Sequence, residues 1–145
     1  MFVLDQSDSY FWPVSIELPE NGKKKAFVFD AEFKRLPQDE VEDLRQRHSI
    51  QIKRIVAAMD SYSESEGLGI SDAGDETRDL CDAVLCGWAK VTDAAGEAVP
   101  FTEATKRRMY QVQGAPAAIF DAWIESLGQP SEKGAAKAGG FRAKN

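Results

Sequence analysis

The feature that most constrains this fold is an alternating apolar pattern written twice around one turn. Tyr10, Trp12, Val14, Ile16 and Leu18 share one parity, and Phe11, Pro13, Ser15 and Glu17 occupy the other. Successive strand side chains point to opposite faces, so this spacing predicts an extended segment with one apolar side. The pattern returns from Ala26 to Lys34 in Phe27, Phe29, Ala31 and Phe33. Between the two runs stands Asn21-Gly22, a pair that accepts positive φ and favours a two-residue hairpin turn. An antiparallel hairpin over residues 9–34 follows. Pro13 cannot donate a ladder hydrogen bond, which predicts an edge or bulged position for that strand. A two-stranded ribbon is marginal alone in water, so it must lie on helices of its own chain or on another copy.

Helical periodicity takes over after the hairpin. Pro37 opens a helix of about residues 37–64, with Asp39, Glu40, Glu42 and Asp43 at its positive end and a stripe of Val41, Leu44, His48, Ile52, Ile55, Met59 and Tyr62. Ser65 to Gly74 reads as a polar, glycine-containing connector. A second helix is expected over about 75–87, with Leu80, Cys81, Val84, Leu85 and Trp88 forming one side. Trp88, Val91, Val99 and Phe101 then flank the turn-forming Asp93-Ala94-Ala95-Gly96, a small extended corner. It leads to a helix over about 102–113, whose N-cap is Thr102 and whose first position is Glu103. A final helix over about 116–127 opens at Pro116, presents Ile119, Phe120, Trp123, Ile124 and Leu127, and stops at Gly128. Beyond it, residues 129–145 lack periodicity and hold Phe141 as their only large apolar residue, which predicts a disordered basic tail. The expected class is α+β: an N-terminal hairpin packed on a bundle of about four helices, one domain over 1–128.

A chain of 145 residues with 43% apolar content can bury a core without staples. Its net charge of -6 argues against sequence-independent nucleic-acid binding, which needs a concentrated Lys/Arg face. Cys81 and Cys86, placed five apart in the expected helix, face different ways and form neither a disulfide nor half a zinc site together. No apolar run approaches the roughly 20 residues that span a bilayer, and the N-terminus lacks a signal-peptide pattern, so a cytosolic protein is expected.

Reactive chemistry is hard to find. His48, the only histidine, lies on the apolar stripe of a helix and reads as a core or boundary residue. Asp39/Glu40 and Asp75/Glu76 sit at helix starts, where dipole effects explain them. No serine occupies a nucleophile elbow, and Gly67-Leu68-Gly69 is too short for a phosphate loop. No enzyme activity, cofactor or metal is expected. Lys106-Arg107-Arg108 reads as a solvated face able to meet an acidic partner.

The order Gly-Trp, Asp-to-Gly turn, Val99-Pro100-Phe101-Thr102, helix and Trp-bearing helix resembles the tail assembly chaperones of long-tailed bacteriophages. The Tyr10-Phe11-Trp12-Pro13-Val14 strand, its return as Phe27 to Phe33 and the final Ala143-Lys144-Asn145 agree with the same family. The resemblance implies a protein of the host cytoplasm that binds and solubilises the tape measure protein, recruits tail tube protein and is absent from the mature virion. Trp88, Phe101, Ile119, Phe120, Trp123, Ile124 and Leu127 are then the partner-binding candidates, although helical spacing on the last five most often describes a core. Written GCA-AAA-AAC, Ala143-Lys144-Asn145 contains a slippery heptamer. Members of the family are typically made in two forms, so a frameshift-extended form of this chain is an expected partner, with no nucleic acid or membrane and with self-association left open. Three alternatives stand beside this: a structural tail or connector subunit of the virion, a generic dimerisation domain, and an acidic DNA mimic built on Asp60, Glu64, Glu66, Asp72, Asp75, Glu76, Asp79 and Asp82.

Overall fold

Residues 1–60 and 66–128 are described by a computed structural model, and its class is α+β. Strands β1 (Ser9–Glu20) and β2 (Lys23–Lys34) form the expected hairpin, in register from Ser9 opposite Lys34 to Glu20 opposite Lys23. Asn21 and Gly22 both take positive φ, 50° and 80°, as a turn matched to the strand twist requires. β1 is an edge strand, so Pro13 costs the ladder nothing. Val14 and Ile16 from β1 and Phe29, Ala31 and Phe33 from β2 are buried on one face, as the alternation predicts.

The sheet has a third strand that the periodicity misassigned. Helix α2 spans Glu66–Val84 and gives way to β3 (Leu85–Ala89), antiparallel to β2, where a helix to residue 87 was expected. Leu85, Cys86, Gly87 and Trp88 are as compatible with a strand as with a helix end, and the open edge of β2 decides between them by offering backbone partners. Pairing shifts register between Glu32 and Phe33, so Cys86 is the extra residue of a bulge and is not helical. The start of α2 also corrects the sequence reading, since Glu66 to Gly74 is helical where a connector was expected. Three glycines in that stretch lower local propensity by roughly 1 kcal/mol each, a weak prior that tertiary context overrides.

Helix α1 (Gln38–Asp60) packs along α2, α3 (Glu103–Tyr110) is short, and α4 (Ala115–Ser126) lies across β1 and α2. The α1 stripe is corrected in detail. Its packed face runs Val41, Leu44, His48, Gln51, Ile55 and Ala58, while Ile52 and Met59 are exposed. Gln51 is buried because its Nε2 donates to Thr77 Oγ1 across the α1/α2 seam at 2.5 Å. The core between sheet and helices is closed by Leu80, Cys81, Val84, Tyr110, Ala115, Ile119, Phe120 and Trp123. The helix end expected near 64 and the tail expected over 129–145 lie outside the described residues.

Candidate functional site

A half-open apolar groove forms where β3 leaves the sheet. Lys90 turns the chain with φ 65°, and a bridge between Thr92 and Ala98 closes the corner. Asp93 organises its tip: the carboxylate accepts from the backbone N–H of Ala95 and Glu97, and Gly96 supplies φ 82°. Trp88 Nε1 donates to the Val99 carbonyl at 2.8 Å, and its ring meets Phe101 edge-on at 5.0 Å. Phe29 meets it edge-on at 6.4 Å from the sheet, so the indole is fixed by one polar and two aromatic contacts and keeps part of its surface exposed. Val91, Val99, Met109 and Val112 complete an apolar floor, with Asp93, Thr105 and Arg108 on the rim. The cavity is about 270 Å³. That is just below the ~300–1,000 Å³ of small-molecule sites and suits one or two apolar side chains of a peptide.

The far wall of the groove is α3, and the sequence explains why so short a helix holds. Thr102 accepts from Thr105 N–H while Thr105 Oγ1 accepts from Thr102 N–H, a reciprocal cap. Lys106, with its side chain 12% exposed, reaches Asp82 on α2 at 3.0 Å and Glu103 at 2.9 Å. Burial alone pulls the Lys106 ammonium pKa down, but its bonds to Glu103 and Asp82 outweigh burial and the net shift is upward. Tyr110 donates to Asp82 Oδ1 at 2.7 Å, and burial, then this bond, push the phenol well above its ordinary range. Lys106 thus belongs to a clamp, whereas Arg107 and Arg108 are exposed as a solvated face predicts.

The partner candidates separate into two groups. Trp88 and Phe101 are half-buried at the groove. Ile119, Phe120 and Trp123 are buried and hold α4 to β1 and α2, so they present nothing to a partner. Ile124 and Leu127 are half-buried against the same core. Ala143, Lys144 and Asn145 lie outside the described residues.

Periodicity alone overlooked Met109, in a helix too short to show a stripe, Val112, two residues past that helix, and a second seam on α1. Gln38, Glu42, Arg45, Ser49, Ile52, Val56 and Met59 follow steps of four and three beside the packed face. Its last three members are apolar and exposed: Ile52 at 37%, Val56 at 52% and Met59 at 67%. Such spacing places the three on one side of α1.

Of the proposed mimic's carboxylates, Glu76 is held by Arg54 at 2.7 Å, Asp75 by Arg78 at 2.9 Å and Asp82 by Lys106. These pairs offset the charge of three of the eight, and the side chains of Asp60, Glu64, Glu66 and Asp72 lie outside the described ones. His48 stacks on Phe120 at 4.8 Å, a boundary role. Cys81 is raised to about 12, by burial first and by the Asp82 charge second, and Cys86 is raised by burial and Glu32. Both thiols are thus kept in the protonated, weakly nucleophilic form. Among the described residues no group of three or more His, Cys, Asp or Glu side chains is placed to hold a metal, and no helix is long and apolar enough to cross a membrane. No protein-family model, curated protein or solved structure matches the chain.

Proposed function

We propose that this chain is a tail assembly chaperone of a long-tailed bacteriophage, a non-catalytic protein of the host cytoplasm that coats the tape measure protein until tail tube subunits replace it. The observation that carries the reading is the presence of two apolar surfaces exposed among the described residues of an acidic body: the Trp88 groove and the Ile52, Val56 and Met59 seam. A long helical client exposes apolar stripes that aggregate. A groove that takes one or two anchors, together with a helix seam at three-four spacing, offers such stripes a temporary cover. Each contact is small, so single copies bind weakly and release readily, while many copies on one client gain by avidity.

Co-expression with the tape measure protein tests this. The client is expected in the soluble fraction with this chain and in the pellet without it. A client equally soluble in both cases sinks the proposal. Mass spectrometry of purified virions separates the reading from a structural tail or connector subunit, which stays in the particle. The frameshift-extended partner belongs to the same proposal, and the codons of Ala143-Lys144-Asn145 decide it.

A further inference from the structure

We propose that Pro13 and Pro19 close the free edge of β1, so that this long strand does not pair with β1 of a second copy. The inference does not depend on the chaperone reading, because it concerns the protein alone. An edge strand carries a row of N–H and C=O groups directed away from its sheet, and such a row is a template for another chain. β1 spans twelve residues, about twice the usual length, and no described strand lies beyond it. Phe11, Pro13, Ser15, Glu17 and Pro19 are all exposed along it. Phe11, at 55%, is large enough to add apolar burial to any such pairing.

The ladder fixes which backbone groups look outward. Along an antiparallel strand, residues alternate between those bonded to the neighbour and those facing the other way. Asn21 and Gly22 form a two-residue turn with positive φ at both, which makes Glu20 and Lys23 its closing bonded pair. At the opposite end of the hairpin, Arg35 N–H donates to the Asp8 carbonyl at 2.8 Å. Both ends therefore assign the even-numbered residues to β2, and Ser9, Phe11, Pro13, Ser15, Glu17 and Pro19 face outward. Ser9 agrees, since its carbonyl accepts from the Ser7 hydroxyl, outside the hairpin, at 2.8 Å. Pro13 and Pro19 have no N–H, and the ring methylene stands where the proton of any other residue would meet an incoming carbonyl. Outward residues that carry an N–H thus come no more than two in a row, Ser9 with Phe11 and Ser15 with Glu17, and the Ser9 carbonyl is already engaged by Ser7. An added strand would lose a bond and meet a ring at every third outward place. Neither ring removes a bond from the β1/β2 ladder, so the closure leaves the hairpin whole.

Sedimentation of the full chain across a wide concentration range, beside Pro13→Val and Pro13→Val/Ser15→Pro, tests the proposal. Pro13→Val joins Ser9 to Glu17 into one row of outward residues with an N–H, and position 13 lies outside the packed core. The second variant restores the break two residues further on, again at an outward position. Pro13→Val is expected to self-associate with a dissociation constant at least about ten-fold lower than that of the unaltered chain, because two copies regain at least two donors. The double variant is expected to return to the unaltered value. Hydrogen exchange of the unaltered chain gives a readout that needs no substitution: the Phe11 and Ser15 amides exchange as open ones, while those of Val14 and Ile16 are protected. A Pro13→Val chain that associates no more tightly than the unaltered one overturns the proposal. So does a double variant as associated as Pro13→Val, since the contact then comes from the side chain at 13 and not from the ladder. Protected Phe11 and Ser15 amides overturn it as well, because the edge is then already paired.

Discussion

Cys81 is the side chain whose chemistry the fold alters most. Burial between α2 and α4, then the neighbouring Asp82 charge, hold its thiol protonated up to about pH 12 against an ordinary 9.0. The unfolded chain gives up that proton near 9, so above pH 9 the folded state binds more protons than the unfolded one. Stability must therefore fall as pH rises through this window, by up to about 1.4 kcal/mol per pH unit from this one group. Tyr110 and Lys106 add to the same direction at higher pH. The phenol is raised by burial and Asp82, and the ammonium is raised because its two carboxylate partners outweigh its burial. Lys106 stabilises the fold fully below its ordinary 10.5 and loses that contribution as pH passes its elevated folded value. The expected result is a melting temperature that is level near neutrality and declines above pH 9. In Cys81→Ala the decline above pH 9 is expected to be shallower, because of the two raised thiols only Cys86 remains, and identical curves for the two proteins would remove Cys81 from this account.

Short elements show which parts of a fold are legible in sequence. Helix α3 is far below the ~12–15 residues at which an isolated helix persists, so it exists through its cap and its clamp. Thr102→Ala removes the oxygen that receives Thr105 N–H and is expected to cost about 1 kcal/mol, whereas Thr102→Asn restores an acceptor and most of that loss. Thermal unfolding of the two variants distinguishes a cap from a spectator; equal melting temperatures would make Thr102 the latter. Thr102, Pro116, Asn21-Gly22 and Asp93-to-Gly96 were all readable because their chemistry is local, fixed by a side chain and the few residues that follow it. β3 was not, because Leu85–Ala89 becomes a strand only once β2 offers its edge, a partner more than fifty residues upstream. The α1 stripe failed for a related reason. Two seams run side by side on that helix, and hydropathy preferred Ile52 over Gln51 although Thr77, on another helix, is what makes Gln51 the buried one.

For the whole molecule, the legible half of the candidate site is the Trp88 corner, marked by aromatic residues around a recognisable turn. The other half needed the fold: Met109 and Val112 count as groove only when α3 docks against that corner, and Ile119, Phe120 and Trp123 leave the list of contacts once α4 covers the sheet. This division supplies a test of the proposed chaperone role that stability cannot confound. Val56 is 52% exposed and lies outside the core formed by the described residues, so Val56→Glu is expected to shift folding stability by no more than about 0.5 kcal/mol. If a client helix covers that seam, the same change buries a carboxylate in the complex without a partner and weakens binding to a tape measure segment by ten-fold or more. On a full-length client the loss repeats at every bound copy, so solubilisation collapses more sharply than the single-segment affinity suggests. Titration calorimetry with one segment and a co-sedimentation assay with the whole client read the two effects separately. Undiminished binding by a stable Val56→Glu protein would remove α1 from the client surface and leave the groove to carry that role by itself.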